Sequence, residues 1–126
     1  MTAAVLDHTA ISALRKAHEV LTGFYVEASR GGFTLYVPAL SIFGADSHEG
    51  GAASFVRGSR SLTTVAFDLD AAETCAGLAR AGVDWRAAHA VHVARPSADN
   101  SGGWTVLTMQ PELYADTGIS ALHPDG

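Results

Sequence analysis

Ala3-Ala4-Val5-Leu6 is an unbroken apolar run, and Ile11 and Leu14 begin a spacing of three to four residues directly after it. A short strand buried on both faces and followed at once by a helix is the unit from which parallel sheets are built. Asp7 stands at the junction, at the carboxyl end of this first strand. In an open α/β sheet, ligands bind in the crevice outside the carboxyl ends of the strands, so a carboxylate there is placed to hold a hard cation. Thr9 can cap the helix that follows. The plainer alternative is that Asp7 only ends the strand and caps the helix itself, and the local sequence leaves both open.

The same alternation continues along the chain. Helical periodicity runs from Thr9 to about Ala17, and again from Glu19 to Ala28, where Leu21, Phe24, Tyr25 and Ala28 share a face and Gly31-Gly32 marks the end. Phe33–Val37 is the clearest strand, and Pro38 is placed to open a short helix reaching about Ala45. Asp46 to Gly51 reads as a glycine-rich loop whose Asp46, His48 and Glu49 are either solvated or a metal site. A small helix over Ala52–Arg57 leads to a third strand, Thr63–Leu69, with Asp70 as N-cap of a helix over Ala71–Ala81. Asp84 caps a further helix, Trp85–Ala94, which Pro96 stops. After a polar loop, Ser97–Gly103, come a strand at Trp104–Thr108, a turn from Pro111 to about Ala115 and a last strand at Ile119–Leu122. The expected fold is one α/β domain with a mainly parallel sheet of four or five strands, the first strand central between the second and fourth, and helices on both faces.

Composition narrows the function classes. Of 126 residues, 48% are hydrophobic and only 17% charged, which suits one folded domain and not a disordered chain. The net charge is −5 and the eight Lys and Arg residues are scattered, so the broad basic stripe of a phosphate-binding surface is absent. No apolar stretch approaches a membrane span and no secretory leader is evident, so a cytoplasmic protein without a membrane partner is expected. Cys75, the single cysteine, lies among alanines and leucine as a small core residue would. Phe24, Tyr25, Phe43, Phe55 and Trp85 are more large rings than so small a core needs, which suggests a homodimer.

Four segments, in order, resemble the PIN-domain family, which includes the VapC-type toxins. Leu6-Asp7-His8-Thr9-Ala10 resembles its opening Asp-x-Ser/Thr, and Tyr36-Val37-Pro38-Ala39-Leu40 its second strand and following helix. Arg86-Ala87-Ala88-His89-Ala90-Val91 is similar to its late helix, and Leu107-Thr108-Met109-Gln110-Pro111-Glu112-Leu113-Tyr114 to its closing segment. The resemblance implies a PIN-like three-layer sandwich and, in the family, a cluster of three or four carboxylates that bind Mg²⁺ or Mn²⁺ for cleavage of RNA.

Position by position, that cluster is degenerate here. Asp7 matches the first acid and Thr9 its supporting hydroxyl; the second acid falls on Gly44, the third on Arg86 and the fourth on Gln110. Asp84 and Asp46 are the nearest substitutes, each two residues from the family position. An arginine at position 86 is expected to pair with Asp7 and take the space of a cation, so that divalent metal binds weakly. His89 and His92, three apart on one helix, form with Asp7 either a different site for a softer metal or ordinary structural packing. The resemblance with these losses implies a domain without metal-dependent nuclease activity that acts by binding RNA or a protein, antitoxin-like or regulatory. The alternative is an Mg²⁺-dependent ribonuclease of toxin–antitoxin type that uses Asp7 and Asp84, with help from Asp46 and Gln110.

Overall fold

The computed structural model describes residues 2–126. Strands β1 (Ala3–Leu6), β2 (Thr34–Pro38), β3 (Leu62–Val65), β4 (Thr105–Leu107) and β5 (Ala121–Leu122) form one sheet in the order β3-β2-β1-β4-β5. Every neighbouring pair is parallel. Six helices flank it: α1 (His8–Arg15), α2 (Glu19–Ser29), α3 (Ala39–His48), α4 (Ala52–Arg57), α5 (Leu69–Arg80) and α6 (Trp85–Ala94), with a 3₁₀ turn at Pro111–Tyr114 before β5. The result is a three-layer α/β sandwich with β1 in the middle, Val5 pairing with Tyr36 on one side and Val106 on the other.

Alternation along each strand divides the side chains between two cores. Ala4 and Leu6, Leu35 and Val37, and Leu107 meet Ile11, Leu14 and Leu21 on one face. Val5, Tyr36 and Val106 meet Ala87, Ala90, Val91 and Ala94 of α6 on the other. The small residues of α6 allow its backbone to lie close to the sheet, a position that larger side chains would overpack. Three of the five large rings singled out in the sequence, Phe24, Tyr25 and Phe55, are half-buried against the first core, whereas Phe43 and Trp85 remain exposed. Among the described residues, no helix is long and apolar enough to cross a membrane.

The structure moves several expected boundaries. β3 stops at Val65, and Asp68, not Asp70, caps α5 by accepting the Ala71 N–H at 2.9 Å. Starting the helix two residues early turns Ala71 and Cys75 inward together, and Asp70 becomes a first-turn acid that the helix dipole favours. Pro38 both closes β2 and stands as the N-cap of α3, one residue before its first turn, and α3 runs on to His48, so Asp46 and His48 belong to a helix and not to a loop. Gly103 fixes the entry into β4. Its φ is +69°, and a Cβ there would lie 2.5 Å from the Ala94 carbonyl, which already accepts the Trp104 N–H at 2.9 Å.

Candidate functional site

The carboxyl ends of β1 and β4 meet at Asp7, which is fully buried. Asp7 Oδ1 accepts the Ala10 N–H at 2.9 Å and the Thr9 hydroxyl at 2.6 Å, and Oδ2 accepts the Tyr114 hydroxyl at 2.7 Å. Asp7 is therefore the N-cap of α1, as the plainer of the two sequence readings had it, and Thr9, the other candidate, lies inside the first turn. Because Thr9 spends its only proton on Asp7, its 3.1 Å contact with Thr108 is one in which Thr108 donates. Thr9 Oγ1 also accepts the Met109 N–H at 2.8 Å, and Thr108 Oγ1 accepts the Gln110 N–H at 3.0 Å. A directed chain of donors thus runs from the end of β4 to one carboxylate. Tyr114, buried and beside the Asp7 charge, has its pKa raised and stays a donor at every working pH.

Arg86 was expected to pair with Asp7, and it does not. A cleft of about 320 Å³ does open here, lined by His8, Ser12, Lys16, His48, Arg86 and Gln110 among others, but Asp7 lies beneath it. Arg86 turns to Asp84 in a two-pronged pair, Nε to Oδ1 at 3.0 Å and Nη2 to Oδ2 at 2.6 Å. The side-chain hydrogen bonds of Arg86 lower the Asp84 pKa to about 2 and raise that of Arg86 itself. Asp84 also caps α6 through the Arg86 N–H, as the sequence indicated, but it does not line the cleft. A Cβ added at Gly44 would lie 3.2 Å from Arg86 Cγ and 3.5 Å from His8 Cβ, so the stem of Arg86 packs directly on Gly44.

The remaining candidates disperse. Asp46 accepts the Ala53 N–H at 2.8 Å and holds the start of α4. His89 is fully buried, and its Nδ1 accepts the Leu40 N–H at 3.2 Å. Pro38 offers no side-chain hydrogen bond to the start of α3, so His89 serves as that cap from another helix. Burial first, then His92, pushes the His89 pKa down to about 4. The rings of His89 and His92 stack with centroids 6.2 Å apart. His8, 6% exposed, has neither ring nitrogen bonded, and burial lowers its pKa against the raising effect of Asp7.

Among the described residues, no three His, Cys, Asp or Glu side chains converge as a metal site would require. The donor set does not fit a divalent cation at Asp7 either, since three protein donors already occupy its two oxygens. Tyr114 and Thr108 in this network, and His8 in the wall of the cleft, are residues to which the sequence assigned no role. The first two were visible only as part of the closing segment, since Tyr114 lies 107 residues from Asp7. Compared with known proteins, the chain matches no family model and no curated protein sequence.

Two outcomes follow from this geometry. Tyr114→Phe keeps the ring and removes one donor from a buried oxygen, and should cost about 1–3 kcal/mol. Asp7→Asn, which sets amide protons against protein donors, should cost more than the about 0.5–2 kcal/mol of a cap alone. Urea unfolding of both variants checks this, and losses near zero would show that the network carries no stability.

The second concerns pH. The folded pKa of His89 lies below its unfolded value, so the unfolded chain takes up the proton first as pH falls. The stability His89 contributes is whole above the unfolded value near 6.5 and is lost as pH falls toward 4. His89→Gln keeps an acceptor for Leu40 but cannot titrate. Between about pH 7 and about pH 4.5, wild type should lose about 2 kcal/mol more than this variant. Parallel pH profiles would count against the cap.

Proposed function

We propose that this chain is a PIN-like domain that has given up metal-dependent phosphodiester cleavage and acts by binding a partner at the carboxyl ends of its strands. The observation that carries the reading is Asp7, the only one of the four family positions that keeps its acid, held by Thr9, Ala10 and Tyr114. Gly44, packed against Arg86, and Arg86, committed to Asp84, support it further. Lys16 in the cleft wall is likewise paired, with Glu49 at 2.9 Å. A cleft whose cations answer its own anions has little left for an RNA backbone.

A protein partner suits the surroundings better. Phe43 and Trp85, 61% and 44% exposed, lie against each other with ring centroids 5.7 Å apart, and Phe67 and Leu69 are also exposed. Aromatic groups of this kind anchor protein interfaces. A second copy of the chain and a regulatory protein of antitoxin type both meet that description.

Calorimetry with Mn²⁺ and a cleavage assay on mixed RNA test the loss of activity. Binding no tighter than about 1 mM is expected, together with no cleavage that Asp84→Asn alters. Micromolar binding, or cleavage lost in a natively melting Asp84→Asn, would falsify the reading and restore the Mg²⁺-dependent ribonuclease. Light scattering addresses the second copy: a dimer mass should fall to that of a monomer in Phe43→Ser/Trp85→Ser. A wild type that is already monomeric at tens of micromolar removes the homodimer.

A further inference from the structure

A second cleft, of about 500 Å³, opens at the opposite end of α6 and owes nothing to Asp7. α6 covers β1, β2 and β4 on its face of the sheet but leaves β3 largely open, where Thr63 is exposed and Val65 half-buried. Tyr36 of β2 and Trp104, one residue before β4, come together across β1 with ring centroids 5.9 Å apart and planes tilted by 36°. They can meet because β1 presents only Ala3 and Val5 on this side. Gly103, which no other residue fits, sets the position of Trp104 at the close of its loop. Val65 and Pro96 complete an apolar wall, while His92 and Arg95 line the same cleft.

The charge of this cleft is opposite to that of the molecule. The chain carries 13 acidic and eight basic residues, yet no Asp or Glu lines these walls. Arg95 is exposed and, among the described residues, joins no ion pair, whereas Arg86 and Lys16 in the other cleft are both paired. A guanidinium without a counter-ion, beside an imidazole, is a forked donor set for phosphate oxygens. Two half-buried aromatic rings offer a platform on which a planar base stacks regardless of its sequence. The volume lies within the range of ordinary small-ligand clefts.

We infer that the cleft between Tyr36, Trp104, His92 and Arg95 binds a nucleotide, its base against the aromatic pair and its phosphate on Arg95. A free mononucleotide and one unit of a single strand share this chemistry. The site stands apart from the partner-binding face proposed above, and neither proposal depends on the other.

The test uses the full chain with Trp85→Phe, which leaves Trp104 as the only tryptophan. Adenosine monophosphate should quench its fluorescence saturably, and calorimetry on the same sample should report the same affinity. Adenosine, without the phosphate, should bind about tenfold more weakly, the order of a charge-assisted contact. Inorganic phosphate should compete without quenching. Arg95→Gln, at an exposed position, should reduce the monophosphate to the affinity of adenosine, and Ser97→Glu, which adds a carboxylate to the wall, should weaken it as well. A short oligoadenylate that binds about tenfold tighter than the monophosphate assigns the site to a strand, and equal affinity assigns it to the free nucleotide. The proposal is overturned by the absence of saturable binding in both measurements, or by an Arg95→Gln variant that binds the monophosphate as the parent does.

Discussion

The Asp7 carboxylate joins parts of the chain that lie far apart in sequence. It terminates β1, caps α1, takes the Thr9 hydroxyl that Met109 and Thr108 also reach, and receives Tyr114 from the 3₁₀ turn. A buried carboxyl group is expensive to remove from water, and it persists only where donors replace the lost hydration. Here three direct donors and the amino end of a helix do so. The arrangement explains why β4, only three residues long, is held in register at its carboxyl end, where β1 also stops.

How much of this was legible depends on the range of the interaction. The strand–helix alternation, the central place of β1 and the two-sided burial of the sheet follow from periodicities that repeat within a few residues, and the sequence displays them openly. So does Asp84, whose capping of α6 is a contact two residues long. Asp68 and Asp70 were harder, since both are good caps and only the inward turn of Ala71 and Cys75 decides between them. The cap on α3 was not legible at all. It requires knowing that Pro38 leaves Leu40 without a local acceptor and that His89, 49 residues away, supplies one.

The candidate site was misread for a related reason. Arg86 was expected to neutralise Asp7, a pairing argued from charge alone. Asp84, two residues before it and at the start of the same helix, offers both oxygens in a geometry the guanidinium fork can match. A two-pronged pair so close in sequence costs less order than one between separate elements, and it outcompetes a carboxylate already satisfied by neutral donors. Gly44 then has a physical role of its own: the absence of a side chain is what admits the stem of Arg86.

Gly44, Asp84 and Arg86 are coupled. A side chain at position 44 would press on the stem of Arg86, and an acid at position 86 would leave Asp84 without its partner and set two carboxylates near a third at Asp7. Like charges so placed raise one another's pKa unless a cation joins them. An acid placed alone in this crevice would therefore cost stability. The packing that holds Arg86 beside Gly44 is in this sense self-maintaining.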